Sequence, residues 1–145
     1  MNKPLVICTV LFGCFVFVIT GLDWIVNGVL YDYGLQFQAG WYDPYSVLYF
    51  FLYQLIIASC LFISGSWLVG LWQEVFVLGC TQDLVFYLVW AKTWPTSEWT
   101  WMPFYKLFGT WRTEHQILLS FLSLSIVTVI CLVITRRKSR LTKKG

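Results

Sequence analysis

Residues 72–94, WQEVFVLGCTQDLVFYLVWAKTW, have the length and apolar content of a membrane-spanning helix, yet they include Gln73, Glu74, Gln82 and Asp83. In a single span, Asp83 would lie about 15 Å from either end, at about 1.5 Å of rise per residue. An acid in the middle of a bilayer is costly unless it is neutralised or has a polar partner. The stretch therefore predicts that Asp83 faces the interior of a helical bundle.

The composition indicates an integral membrane protein with one domain over residues 1–145. Hydrophobic residues make up 59% of the chain and charged residues 12%, whereas soluble proteins average about 45–50% and 25%. A soluble fold of this length cannot bury so much apolar surface. The five cysteines lie in apolar segments without a CxxC pair, so we predict neither a disulfide framework nor a zinc site.

The first two spans are predicted from apolar length and from a helix-start signal. The first run, residues 4–24, also has the charged start and apolar core of a secretory signal. No small-x-small cleavage pattern follows it, so we expect a retained helix with Trp24 at its far interface. Asp43-Pro44 is typical of a helix start, an N-cap acid before proline, and predicts a second span over residues 44–67.

The boundary between the second and third spans has two interpretations. The Ser-Gly-Ser sequence at 64–66 is a natural break, and it leaves a third span over residues 72–93. The alternative is a turn at 79–83, which lengthens the second helix and leaves a third of only about 11 residues, too short to cross a bilayer. We therefore predict the break at 64–66.

The two outer connections are apolar and aromatic. Residues 25–43 contain no basic residue, and we expect them to lie along the membrane surface. Residues 95–113 contain two prolines, which exclude one regular helix. Their tryptophans indicate either anchoring at lipid headgroups or a lid over a mouth that faces lipid or ligand.

The last span is predicted over residues 114–135, with Thr113 and Gln116 as a capping box at its start. Six of the ten basic residues lie in the tail, residues 136–145. The positive-inside rule places this tail and the amino terminus in the cytoplasm, which requires an even number of spans. We predict an all-α integral membrane four-helix transmembrane bundle with aromatic outer loops. Nucleic-acid binding is not predicted, since no folded binding domain accompanies the tail.

Polar residues roughly ten positions from a helix end are predicted to form one layer near the bilayer midplane. Ser120 and Ser123 share a face of the last helix, and Gly79 leaves room beside Asp83. We predict that Asp83 contacts Gln54 or this serine face. The predicted ligand-binding residues are Tyr53, Gln54, Gly79, Asp83, Tyr87, Trp90, Ser120 and Ser123.

Three residues are candidates for acid–base chemistry. Asp83 acts as a proton carrier or ligand anchor, or else it is a protonated acid that joins helices by hydrogen bonds. Glu74 lies nine residues earlier and is interpreted as an interfacial residue near the cytoplasmic side. His115, beside Glu114, lies on the outer side. No HxH or HxxxH pattern accompanies it, so we predict no metal and no cofactor.

The sequence has no nucleophile elbow, no phosphate-binding loop and no dinucleotide fingerprint. The layout of four spans, a long first outer connection and a basic cytoplasmic tail resembles the emopamil-binding type of small sterol-binding membrane proteins. The resemblance implies acids in a pocket between helices. It covers the architecture alone, because Gln54 stands where a carboxylate is expected, and a shared fold does not define function.

Three functions are consistent with these features. The first is a non-enzymatic protein that binds a hydrophobic small molecule or membrane lipid between its helices, with Asp83 as the polar anchor. The second is a membrane enzyme acting on a lipid or isoprenoid, with Asp83 or Glu74 as general acid/base and His115 at the outer face. The third is a structural subunit of a larger membrane complex, or a homo-oligomer.

Overall fold

The computed structural model describes residues 3–32, 44–99 and 103–142, and the regular elements in these ranges are all helices. They are α1 (Lys3–Asp32), α2 (Pro44–Ser64), α3 (Trp67–Leu78), α4 (Thr81–Ala91), α5 (Pro103–Phe108) and α6 (Thr113–Thr142). The second half of α4, Phe86–Ala91, is a π-helix. The all-helical class predicted from the sequence is therefore confirmed for the described residues.

Three helices are long and apolar enough to cross a bilayer. They are the Lys3–Val26 part of α1, the Val47–Ser64 part of α2 and the Thr113–Arg136 part of α6. α3 and α4 pass the same test only as a pair, and they are bent by 66° at the break between them. The prediction of one continuous helix over residues 72–93 is therefore wrong, whereas the other three predicted spans are confirmed as helices of sufficient length.

The chain turns at both positions that the sequence offered as alternatives. Gly65, with a φ of 60°, separates α2 from α3. Gly79 ends α3, and Cys80 follows with a φ of 52°, a left-handed conformation that costs a non-glycine residue about 1–2 kcal/mol. A tertiary contact stabilises this second turn, as described below.

The first outer connection begins later in the chain than predicted. α1 continues to Asp32, so residues 25–32 extend a helix that the sequence predicted to end near Trp24. α2 begins at Pro44, as predicted. Asp43, which the sequence predicted as the N-cap of α2, and the rest of residues 33–43 lie outside the described residues.

Interhelical contacts define how neighbouring helices are paired. The Cys8 thiol of α1 donates to the Cys60 carbonyl of α2 at 3.3 Å. α3 and α6 form a second pair, in which the Cys131 thiol of α6 donates to the Leu68 carbonyl of α3 at 3.7 Å. Further along the pair, Trp72 Nε1 donates to Thr128 Oγ1 at 3.1 Å. Because residue numbers rise along α3 as they fall along α6, these two helices are antiparallel.

One end of the molecule contains the start of α1, the turn between α2 and α3, and the end of the α6 span. Leu5, Ser64, Ser66 and Thr135 all line one cavity, so these parts of the chain lie close together. We call this end the tail end, and the opposite end the loop end. α3 begins at the tail end and runs towards the loop end. α6 begins at the loop end and returns to the tail end, so the chain between α3 and α6 lies at the loop end.

Candidate functional site

The predicted ligand-binding residues lie in separate places rather than around one site. Gln54 Nε2 donates to Glu74 Oε2 at 3.2 Å, so Gln54 pairs with the other acid of the span and not with Asp83. Gln54 lies ten residues from each end of α2. Glu74 therefore lies beside the middle of α2, whereas an interfacial residue is expected near one end of that helix.

Asp83 lies in the first turn of α4, partly buried, and its neighbours include a second acid. Its carboxyl interacts electrostatically with Asp23 of α1 and with the phenols of Tyr49 and Tyr53 of α2. Asp23 is three residues before Val26, where the α1 span ends. These neighbours place Asp83 beside the second half of α1 and the first half of α2, away from the tail end.

Trp90 holds α4 against α1. Its indole N–H donates to Thr20 Oγ1 at 3.2 Å, and its ring packs on Phe17 with the ring centroids 4.7 Å apart. The contact is close, because a Cβ added to Gly21 would lie 2.6 Å from the Trp90 ring. Trp90, predicted as a ligand-binding residue, has a structural contact here.

The side-chain amide of Gln116 bonds the backbone at the break between α3 and α4. Its Nε2 donates to Gly79 O at 2.6 Å, to Cys80 O at 3.3 Å and to Ser120 Oγ at 3.2 Å. The indole N–H of Trp111 donates to Gln116 Oε1 at 3.0 Å. Carbonyls at a helix end have no intrahelical donor and need another partner inside a membrane. This network therefore stabilises the break.

The predicted serine face lies at the same break and not beside Asp83. Ser120 is bonded by Gln116, and Ser123 Oγ donates to Ser120 O at 3.2 Å. A Cβ added to Gly79 would lie 3.4 Å from Ser123 Oγ. The serines and Gly79 therefore pack at the helix break, and the predicted contact of the serine face with Asp83 is not among the described contacts.

The capping box predicted at the start of α6 is wrong. Gln116 extends to α3, and the Thr113 hydroxyl donates to Pro95 O at 3.2 Å. Instead, His115 Nδ1 accepts the backbone N–H of Arg112 at 3.3 Å. The predicted capping box would have joined the Gln116 side chain to the Thr113 backbone N–H. The observed bond joins the His115 side chain to the Arg112 backbone N–H, one residue earlier at each partner, so His115 caps the helix.

The second outer connection covers the helix break. Trp99 and Trp111 are 0% and 8% exposed, and the Trp99 backbone N–H donates to Trp111 O at 2.7 Å. The pair packs against Cys80, Leu84 and other residues of α4 and α6. Trp99 and Trp111 are therefore packed within the protein at the helix break. Trp101 lies outside the described residues.

A cavity of about 630 Å³ lies between α1 and α3. None of the predicted ligand-binding residues is among the described residues that line it. Its walls are mainly apolar and include Phe12, Val16, Phe17, Val69, Trp72 and Phe76. Its volume falls within the range of about 300–1,000 Å³ that is typical of small-molecule sites. We call this cavity the α1–α3 cleft.

Gln73 is the buried polar residue of the α1–α3 cleft. It is 3% exposed, and its amide oxygen has no hydrogen-bond partner in the part of the chain that the structure describes. The sequence indicates Gln73 only as one of several polar residues in a span. Gln73 is one of the residues that line the cleft, although neighbouring residues cover nearly all of its surface.

No protein-family model matches the sequence, and comparisons with curated proteins and with solved structures find no match. The resemblance to emopamil-binding proteins is therefore a likeness of layout with no family match to support it. The described fold and cleft define an all-helical protein with several helices that can cross a membrane.

Proposed function

We propose that the protein binds a hydrophobic small molecule or a lipid in the α1–α3 cleft, with Gln73 rather than Asp83 as the polar anchor. The observation that carries the proposal is the buried Gln73 amide oxygen, which lacks a partner within the described ranges. Such a group costs about 1–3 kcal/mol when it is left unsatisfied. Rotation of the Gln73 amide towards the cleft would let a ligand hydroxyl or N–H donate to this oxygen, and the new hydrogen bond would offset that cost.

An enzyme has less support than a binding protein. Neither Asp83 nor Glu74 is among the described residues that line the cleft. Glu74 accepts a hydrogen bond from Gln54, and Gln73 has an amide that neither gives up nor takes up protons at neutral pH. General acid–base chemistry on a ligand in this cleft would therefore lack its catalytic group.

We infer further that the chain crosses the membrane four times as a bundle, with both ends in the cytoplasm. The support is the shared tail end and its positive charge. The 12 residues of α3 rise about 17 Å, and α4, bent by 66°, adds about 6 Å along the same direction. The sum falls short of the roughly 30 Å hydrocarbon core, and we propose that the connection containing Trp99 and Trp111 spans the remaining depth.

The test is a pair of matched substitutions, followed by native mass spectrometry of protein purified in mild detergent. Gln73→Leu should lower ligand retention about two- to tenfold, because one hydrogen bond is worth about 0.5–1.5 kcal/mol. Gln82→Leu is the control, since Gln82 is also buried without a described partner for its amide oxygen, but it is not a described lining residue of the cleft. It should leave retention unchanged.

A second substitution fills the cleft. Gly13 lines the cleft, and a Cβ added there meets no described atom within 4 Å. Gly13→Leu should therefore fold normally and exclude the ligand, whereas Gly13→Ala should retain it. Equal retention by the leucine and alanine variants, or by Gln73→Leu and Gln82→Leu, would count against the cleft as the binding site.

A further inference from the structure

Cys8 and Cys60 face each other between α1 and α2. The Cys8 thiol donates to Cys60 O at 3.3 Å, and the Cys60 thiol donates to Cys8 O at 3.7 Å. Each thiol is also within hydrogen-bonding reach of the other sulfur, and both residues are 0% exposed. This reciprocal arrangement places the two sulfur atoms together in the gap between two packed helices.

The Ser64 hydroxyl connects this cysteine pair to the α1–α3 cleft. Ser64 lines the cleft and bonds with the Cys8 side chain. Its oxygen accepts the Ser66 backbone N–H at 3.2 Å, and the Cys8 proton is directed to Cys60 O, so the Ser64 hydroxyl hydrogen donates to the Cys8 sulfur. A donor at this position stabilises the negative charge that develops when the thiol loses its proton. One serine side chain therefore separates Cys8 from the open cleft.

The pair lies close to the tail end of the molecule. Cys60 is four residues before Ser64, where α2 ends, and Cys8 is five residues after Lys3, where α1 begins. At about 1.5 Å of rise per residue, both cysteines are roughly 6–8 Å from a helix end. A small uncharged molecule that enters the cleft at the tail end is therefore close to the pair.

We propose that Cys8 and Cys60 form a site of reversible thiol oxidation, at which a peroxide converts the two thiols into a disulfide bridge between α1 and α2. The Cys8 thiolate attacks one peroxide oxygen and the O–O bond breaks. The other oxygen takes up the proton that Cys8 released and leaves as water, with Cys8 left as a sulfenic acid. The Cys60 sulfur then attacks the Cys8 sulfur, the S–O bond breaks, and the hydroxyl leaves as water with the Cys60 proton. The two sulfurs together lose two electrons, which reduce the peroxide.

The bridge is a modification of the folded protein and not part of its framework, because all five cysteines are free thiols in the structure. With the tail end in the cytoplasm, as proposed above, cellular thiols would reduce the bridge again, which is typical of redox-sensing disulfides. Leu5 of α1 and Ser64 of α2 both line the cleft, so a bridge between these helices would hold this side of the cleft at one width. The oxidation itself does not depend on a ligand in the cleft.

The experiment treats full-length protein in mild detergent with hydrogen peroxide and then alkylates the remaining thiols in SDS before intact mass spectrometry. Wild-type protein should lose two of its five alkylation sites, and peptide mapping should find Cys8 joined to Cys60. Dithiothreitol should restore all five sites. Burial in apolar surroundings slows thiol reactions, so the oxidation is followed for hours.

Cys14→Ser is the matched control, because Cys14 lies on the same helix as Cys8 but is exposed, and this variant should still lose two sites. Cys60→Ser should form no bridge, and dimedone should then trap the sulfenic acid on Cys8. The wild-type peptide map requires no variant, so it decides the question even if Cys60→Ser fails to fold. Retention of all five sites by wild-type protein, or a bridge that includes Cys14, Cys80 or Cys131, would overturn the inference.

Discussion

Replacing Gln116 with leucine removes the side chain that bonds the backbone where α3 and α4 separate, and we expect the protein to lose stability. Gln116 Nε2 donates to Gly79 O at 2.6 Å, and Gln116 Oε1 accepts the indole N–H of Trp111 at 3.0 Å. Leucine has no polar atoms, so both groups would lose this partner in a buried position.

The magnitude follows from the number of groups left without a partner. Hydrogen bonds between membrane helices contribute about 0.6 kcal/mol on average and about 1.7 kcal/mol at most. Two such groups, Gly79 O and Trp111 Nε1, therefore predict a loss of roughly 1–3 kcal/mol in the free energy of unfolding. Estimates from soluble proteins, about 1–3 kcal/mol for each buried unsatisfied group, set an upper bound of about 6 kcal/mol.

The assay is unfolding of purified protein in mixed micelles of increasing SDS content, followed by far-ultraviolet circular dichroism. Gln82→Leu is the matched control, because Gln82 is 8% exposed and its amide oxygen has no described partner. This control should unfold at the same SDS fraction as wild-type protein or a higher one. If Gln116→Leu and Gln82→Leu unfold together, the Gln116 network does not stabilise the helix break and the reasoning is refuted.

Two further predictions concern packing and topology. Gly21→Ala should cost about 1–3 kcal/mol in the same unfolding assay, because the added Cβ would lie 2.6 Å from Trp90. Gly13→Ala, in the same helix with no described atom within 4 Å of the added Cβ, should be neutral or slightly stabilising, and equal losses would contradict the contact. Cysteines introduced at Lys3 and Ser139 should react with a membrane-impermeant maleimide from the same side of sealed vesicles, with unsubstituted protein as the background control. Labelling from opposite sides would contradict four crossings.

The sequence predicts helical spans well for a general physical reason. Inside lipid, backbone N–H and C=O groups must bond within their own segment, so an apolar run of sufficient length becomes a helix. This reason covers α1, α2 and α6, and the Ser-Gly-Ser turn at 64–66 follows from the same local chemistry. The cleft between α1 and α3 is not predictable in this way, because it depends on how the two helices are rotated and packed.

Local sequence determined where α1, α2 and α6 begin and where the chain turns at 64–66, whereas tertiary structure decided the break at Gly79 and the position of each polar side chain. A Gly-Cys pair is compatible with a continuous helix or a turn, and Gln116, 37 residues after Gly79, supplies the donor that stabilises the turn. The bend directs Asp83 towards Asp23. The rotation of α3 turns Gln73 into the cleft, because helix rotation is set by packing against neighbouring helices and not by the composition of the helix itself.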